Sequence, residues 1–241
     1  MVRFSLFGIP IEIQPWFWVT GAMLGGAWNA NTREGLLFMM IFMIVMFISV
    51  LVHELGHAMT GLRLGGGQAN IVLWAVGGLA YNRGGVFTPK QRFWMIFMGP
   101  GAGFLLLALV VVLLCLFFGP SSGLFMAFYA ADIPLKLIPV QPTFEAIEFI
   151  QESSPKWWLI RAMVWVNFWW GIINLLPVLP LDGGQIAELL IKPRSRMHLV
   201  SGITSILMVL VSFKVGLMFA PFIFGFLAYK SFQEYKANSW N

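Results

Sequence analysis

Residues 36 to 59, LLFMMIFMIVMFISVLVHELGHAM, join a long apolar run to two histidines and one glutamate. The part from Leu36 to Val52 carries no charge and approaches the roughly 20 residues with which an α-helix crosses the hydrocarbon of a bilayer. Ionisable side chains at membrane depth are costly, and they face a protein interior or a water-filled cavity. The presence of His53, Glu54 and His57 at the end of a predicted membrane helix therefore requires a chemical reason.

The composition of the whole chain is that of an integral membrane protein. Of its 241 residues, 59% are hydrophobic and 10% are charged, against roughly 25% charged residues in an ordinary soluble domain. No hydrophilic block is long enough for a separate domain, so we expect residues 1–241 to form a single membrane domain. The net charge of +5 comes from scattered basic residues, which favours contact with membrane lipid and argues against nucleic acid as a partner.

Apolar runs predict an all-α integral membrane fold with about six membrane-spanning helices. The predicted spans are Pro15–Trp28, Leu36–Val52, Phe93–Phe118, Trp157–Val178, Leu199–Phe213 and Val215–Tyr229. An even number of spans places both termini on one side of the membrane, and most basic residues fall on that side. The positive-inside rule then predicts a multi-pass protein whose termini, and the HELGH end of the second span, face the cytoplasm.

Two other segments predict a short interfacial or re-entrant β element. Residues 1–14 change in polarity from one position to the next and are interrupted at Gly8 and Pro10, which favours a short strand pair. Residues 69–82, ANIVLWAVGGLAYN, are rich in β-branched and apolar side chains, which favours a strand or a re-entrant loop.

The spacing within HELGH suits metal binding. His53 and His57 lie four residues apart, so in a helix their rings share one face, with Glu54 beside them. Two neutral imidazoles can each give a nitrogen to one zinc ion, and the carboxylate is then close enough to accept a proton from a metal-activated water. The simpler alternative is a set of polar side chains that bond to a neighbouring helix, because this pattern also arises by chance.

A hydrolytic zinc site usually has three protein ligands, so a third is expected elsewhere in the chain. The single cysteine, Cys115, lies in an apolar run, and Asp132 and His198 lie in polar stretches typical of a surface. Asp182 lies in NLLPVLPLDGGQ, at the end of the fourth span. The second and fourth spans both end on the cytoplasmic side, so Asp182 is expected at the same depth in the membrane as the histidines. Prolines and glycines predict an irregular segment there that can aim the carboxylate inward. The alternative role of Asp182 is to cap the following helix.

These motifs together resemble the site-2 protease family of intramembrane zinc metalloproteases, peptidase family M50. The resemblance rests on HELGH at 53–57, on Asn174 with Pro177, and on LDGG at 181–184, in that order along the chain. It implies a three-helix catalytic core at about residues 34–192 and peripheral spans at about 15–30 and 199–230. We expect no PDZ or CBS domain in the sequence.

The resemblance also implies a function and the residues that perform it. One zinc ion per chain is expected to be held by His53, His57 and Asp182, with Glu54 as the general base. Asn174 is expected to steady the developing oxyanion or the substrate backbone, and its alternative role is a hydrogen bond between helices. The implied activity is zinc-dependent cleavage of a transmembrane protein or peptide substrate within or near the membrane, as in regulated intramembrane proteolysis.

A helical substrate must be unwound locally before its backbone can be cut. The edge of a strand within residues 69–82 can pair with the unwound segment, and Gly77 and Gly78 permit close approach of the backbones, which makes them candidate substrate-binding residues. The alternative for this segment is an ordinary hairpin below the membrane surface.

Two other classes of function are compatible with the same polar cluster. A metal or proton transporter needs ionisable residues distributed along several spans, whereas here they concentrate near one side of the membrane. A catalytically silent zinc-binding scaffold needs the metal ligands but not the base. The sequence does not indicate an oligomeric state.

Overall fold

The protein consists of helices and one small β-sheet, and the computed structural model describes residues 1–215 and 219–239. The strands are β1 Val2–Leu6, β2 Ile9–Ile13, β3 Gln68–Trp74 and β4 Gly77–Arg83. The helices are α1 Pro15–Leu24, α2 Arg33–Gly65, α3 Pro89–Phe118, α4 Pro120–Ala130, α5 Phe144–Gln151, α6 Pro155–Asn174, α7 Asp182–Leu190, α8 Arg194–Val215 and α9 Ala220–Ser239.

Helix α2 is the central element, and both of its ends are defined by local chemistry. The Thr32 side chain accepts a hydrogen bond from the Gly35 N–H at 3.0 Å, which caps the first turn. The helix ends at Gly66, whose φ of 68° lies in the left-handed region that glycine adopts readily. Its 33 residues extend about 50 Å, so α2 is long enough to cross the hydrocarbon and continue beyond it.

Within the described residues, three helices are long and apolar enough to cross a membrane. They are α2, α3 and the Arg194–Lys214 part of α8, which agree with the second, third and fifth predicted spans. The fourth predicted span ends earlier than expected, at Asn174, because Pro177 cannot donate a backbone hydrogen bond and its ring disfavours helix before it.

The first predicted span is shorter than the sequence suggested. Helix α1 has 10 residues and extends about 15 Å, half the thickness of the hydrocarbon. It stops because Gly26 adopts a φ of 84°, which a continuing helix cannot accommodate. The last predicted span starts at Val215, the last residue of α8, and residues 216–218 of it lie outside the described residues.

The two predicted β segments form a single sheet. Strands β1 and β2 make an antiparallel hairpin, and β3 and β4 make another. The hairpins join because β2 pairs with β3 in parallel, with Ile11 opposite Ile71. The strand order is β1-β2-β3-β4, so β4 is an edge strand. One face of β2 and β3 is buried against α2 in a cluster that includes Ile11, Ile71, Val50 and Leu55.

Helices α2, α3 and α6 pack against one another closely. A methyl group on Gly56 of α2 would come within 2.0 Å of the Met98 carbonyl oxygen of α3, so only glycine permits this approach. Helices α2 and α6 are joined by a buried hydrogen bond of 2.9 Å from the Asn167 Nδ2 to the Ser49 Oγ. This packing places the HELGH end of α2 beside the loop that follows α6.

Candidate metal centre

Three buried side chains converge between α2 and the first residue of α7. The His53 Nε2 lies 3.0 Å from the Asp182 Oδ2 and 3.2 Å from the His57 Nε2. The distance from the His57 Nε2 to the Asp182 Oδ2 is 3.4 Å. The structure thus brings together residues that are 129 positions apart in the sequence, and their ligand atoms form a nearly regular triangle.

The size of this triangle fits a zinc ion. Tetrahedral ligands about 2.0–2.1 Å from zinc lie about 3.3 Å from one another, and the three observed distances run from 3.0 to 3.4 Å. The donor set also fits, because two imidazoles and one carboxylate are the ligands of many hydrolytic zinc sites. Among the described residues, these three form the one group of histidine, cysteine or acidic side chains whose ligand atoms lie close enough together to hold a metal ion.

The orientation of His57 leaves its Nε2 available to a metal. Its Nδ1–H donates a hydrogen bond of 2.9 Å to the Met95 carbonyl oxygen of α3. A carbonyl can only accept, so this bond places the proton of a neutral ring on Nδ1 and the lone pair on Nε2. Gly99 makes room for the ring, since a methyl group there would lie 2.1 Å from the His57 Nε2.

Asp182 faces the histidines and does not cap its own helix. The N-cap residue of α7 is Leu181, and no side chain caps this helix end. The loop before α7 folds back tightly on the end of α6, because Gly183 lies so close to the Leu175 carbonyl oxygen that a methyl group would come within 2.0 Å. The two glycines of LDGG therefore allow the approach that turns the Asp182 carboxylate toward α2.

Glu54 is buried beside the triangle and lies against the edge strand β4. Its side chain is adjacent to the backbone of Gly78, where a methyl group would be 2.3 Å from the Glu54 Cγ. The backbone N–H of Ala80 also interacts with the Glu54 carboxyl group. A carboxyl group that is 4% exposed and lies against the β4 backbone is held in a fixed position, as a general base must be.

The structure adds Trp170 of α6 to the surroundings of the site. Its ring meets His53 edge to face, with ring centroids 6.4 Å apart, and it lies next to Gly77, where a methyl group would come within 2.9 Å of the indole. Nothing in the sequence distinguishes Trp170 from the neighbouring tryptophans. The hydrogen bond from His57 to Met95 was not predictable from the sequence either, because Met95 accepts it through its backbone carbonyl.

Asn174 lies at the last position of α6 and is buried. Its Nδ2 donates a hydrogen bond of 3.0 Å to the Trp170 carbonyl oxygen of the same helix. The polar link between helices is made instead by Asn167, which the sequence analysis did not single out. Gly77 and Gly78 open β4, next to Trp170 and Glu54 respectively.

His198 corrects an expectation from the sequence. It was predicted at the surface because basic residues surround it, but only 5% of it is exposed and neither ring nitrogen has a hydrogen-bond partner among the described residues. Helix α8 begins at Arg194, so His198 lies in its second turn and on its buried side. Asp132 is at the surface as predicted, in an ion pair of 2.8 Å with Arg161.

Long apolar helices with a buried triangle of two histidines and an aspartate, beside a buried glutamate, are typical of a membrane protein with a hydrolytic metal site. The chain belongs to peptidase family M50, whose sequence profile matches residues 41–219. This confirms the family predicted from HELGH and LDGG, and zinc as the metal for which the site is built.

Individual relatives agree with this assignment. Rip3 of Mycobacterium tuberculosis is 30% identical over 145 residues, which are 60% of this chain and 29% of Rip3. Zinc metalloprotease MJ0392 of Methanocaldococcus jannaschii is 25% identical over 192 residues, 79% of this chain and 45% of that protein. The chain thus spans less than half the length of these relatives.

The fold is also that of a solved structure. The site-2 protease from Methanocaldococcus jannaschii superposes with a TM-score of 0.56 at 19% sequence identity. The match covers 97% of this chain and 94% of that chain, so the similarity extends to the sheet and to the helices on either side of the metal centre.

Proposed function

We propose that the protein is a zinc-dependent endopeptidase that hydrolyses a peptide bond of a membrane-protein substrate within or next to its membrane-spanning segment. The observation that carries the proposal is the triangle of His53, His57 and Asp182 ligand atoms, with sides of 3.0 to 3.4 Å. Its position at the end of an apolar helix favours a substrate that reaches the site from the membrane.

We assign the metal-binding role to these three side chains, one zinc ion per chain. A bound zinc ion would activate water and polarise the carbonyl group of the scissile bond. The Met95 carbonyl holds His57 in the tautomer that a metal requires. The transfer of protons and the binding of the oxyanion are assigned to side chains of the protein.

Glu54 is the proposed general base. Its carboxylate accepts a proton as a water oxygen bonds to the peptide carbonyl carbon, and it delivers that proton to the amine as the carbon–nitrogen bond breaks. The position next to HELGH histidines and the contact with the β4 backbone support this role. Asn174, at the end of α6, is the proposed group that steadies the oxyanion or the substrate backbone.

Strand β4 is the proposed docking edge for the unwound substrate. It is an edge strand of the sheet, and Gly78 brings its backbone to the Glu54 side chain. A substrate segment that pairs with this edge would recover backbone hydrogen bonds lost on unwinding. Gly77 and Gly78 carry no side chain that would keep the substrate backbone away from the site.

The membrane arrangement is proposed in the same way. Helices α6 and α9 are less apolar than the three helices named above, but they have 20 residues each and extend about 30 Å, the thickness of the hydrocarbon. With α2, α3 and α8 they make five crossings, and α1 with the turn through Asn29 makes a short sixth that needs a locally thinned bilayer. The distribution of basic residues supports cytoplasmic termini, in one domain whose core is about 34–192.

The test combines metal analysis with cleavage. The purified protein in detergent or vesicles is expected to contain one zinc ion per chain and to cut members of a panel of membrane-spanning peptides. Glu54→Gln should retain zinc and cut none of them, whereas Glu34→Gln, at the exposed start of the same helix, should cut normally. Zinc without cleavage by the unaltered protein would favour the scaffold, and zinc flux into vesicles would favour the transporter.

A further inference from the structure

The loop that presents Asp182 is tied to α8 by a side-chain hydrogen bond. Within the described residues, the backbone N–H groups of residues 176, 178 and 181 bond to carbonyl groups of neighbouring residues. The N–H of Leu179 is different, since it donates a hydrogen bond of 2.9 Å to the Ser201 Oγ of α8. Pro177 and Pro180 have no N–H to donate.

Ser201 is itself fixed in place. It has no exposed surface, and its hydroxyl lies 2.8 Å from the Ser231 Oγ of α9. The two serines and the Leu179 N–H therefore form a buried chain of hydrogen bonds that joins α9, α8 and the loop. This chain begins in the helices that the sequence analysis described as peripheral and ends three residues from a metal ligand.

The position of Leu179 determines how α7 begins. The Leu181 N–H donates to the Val178 carbonyl oxygen at 2.8 Å, so residues 178–181 form a tight turn that leads directly into Asp182. A turn of this kind passes a displacement of Leu179 on to the first residue of α7. The direction of the Asp182 carboxylate then depends on where Ser201 holds the loop.

We propose that Ser201 is a positioning residue for the metal ligand Asp182, and that α8 and α9 thereby contribute to the metal centre. This inference rests on the proposed role of Asp182 in holding zinc. Residues that orient metal ligands through hydrogen bonds typically change metal affinity or activity by 10- to 100-fold when they are removed. Loss of the Ser201 hydroxyl would also leave the partly buried Leu179 N–H without a partner, which favours rearrangement of the loop.

Ser205 provides a matched control on the same helix. It lies one turn after Ser201 and is equally buried. Its hydroxyl donates to the Ser201 backbone carbonyl oxygen at 2.8 Å, so it bonds within α8 and not to the loop. Removal of either hydroxyl perturbs the packing of α8 in a similar way, but only removal of the Ser201 hydroxyl releases Leu179.

The experiment measures zinc affinity by competition with a chromogenic chelator, for the full chain in detergent. Ser201→Ala is expected to bind zinc about 10- to 100-fold more weakly than the unaltered protein. Ser205→Ala is expected to bind zinc normally, and Ser201→Thr, which restores a hydroxyl, should recover affinity relative to Ser201→Ala. Thermal unfolding without zinc is recorded for each variant.

Equal zinc affinity of Ser201→Ala and Ser205→Ala would overturn the proposal. Failure of the unaltered protein to bind zinc would instead overturn the proposed function, so the two failures are distinguishable. If Ser201→Ala does not accumulate as folded protein, Ser201→Cys replaces it, because a thiol is similar in size to the hydroxyl but is only a weak acceptor for the Leu179 N–H. Weaker zinc binding than in Ser205→Ala supports the proposal, and equal binding overturns it.

Discussion

Glu54 and Gly78 are in direct contact, and the contact has no room for a side chain. A methyl group on Gly78 would lie 2.3 Å from the Glu54 Cγ and 2.6 Å from its carboxyl carbon. The two residues come from different elements, the second half of α2 and the edge strand β4. The proposed base and the proposed substrate-docking strand are therefore positioned by each other.

Gly78→Ala is expected to abolish most activity while zinc remains bound. The new methyl group displaces Glu54 or β4 by about 1 Å, and a displacement of that size near reacting groups can cost on the order of 100-fold in rate. The measurement is the rate of peptide cleavage together with zinc content. Gly225→Ala on α9 is the control, since a methyl group there would meet no atom within 4 Å, and it should cleave at a near-normal rate. Normal cleavage by Gly78→Ala would show that this contact does not position the base.

Gly99→Ala is expected to weaken zinc binding. Its methyl group would lie 2.1 Å from the His57 Nε2, so the ring must leave the position in which it bonds to Met95. We expect a fall in zinc affinity of about 10- to 100-fold, as for other changes that misorient a ligand. Gly101→Ala on the same helix makes only ordinary contacts of 3.6 Å or more and should leave the affinity unchanged. Equal affinities for the two variants would count against His57 as a ligand.

The site was predictable to the extent that it follows from local geometry. The shared face of His53 and His57 requires only helical spacing, and the prolines and glycines around Asp182 indicate an irregular segment. Met95 was not predictable, because any residue type offers a backbone carbonyl. His198 was misplaced because its basic neighbours suggested solvent, whereas the start of α8 at Arg194 turns its ring toward the interior.

The individual helices and strands were easier to predict from the sequence than the way in which they pair and pack. Apolar length indicated α2, α3 and most of α8. The first β segment was recognised from its alternating polarity and the second from its residue types. The parallel pairing of Ile11 with Ile71 joins segments separated by the whole of α1 and α2, and strand composition carries no information about such a partner. The early end of α1 depends on the conformation of Gly26, which apolar length does not reveal.

Asp182→Asn is expected to remove most zinc binding. Asparagine keeps the size of the side chain but lacks the negative charge that a cation site requires. The loss of zinc affinity should therefore exceed the roughly 10- to 100-fold effect of removing a residue that only orients a ligand. The loss of zinc binding is measured as the zinc content after purification and as the zinc affinity in competition with a chelator. Asp132→Asn, in an exposed ion pair with Arg161, is the control and should bind zinc normally. Full metal occupancy in Asp182→Asn would mean that a different residue completes the site.

Asn167→Ala is expected to lower the stability of the helix packing without changing the zinc site. It removes the 2.9 Å bond to the Ser49 Oγ and leaves that buried hydroxyl without its partner on α6. Hydrogen bonds between membrane helices contribute about 0.6 to 2 kcal/mol, so the free energy of unfolding should fall by about this amount.

Ser49→Ala should have a similar effect. Because each single change already breaks the bond, the double variant should lose less than the sum of the two. Strict additivity in reversible unfolding would show that the two side chains do not stabilise the α2–α6 contact together, and altered zinc affinity would show that the contact also shapes the metal centre.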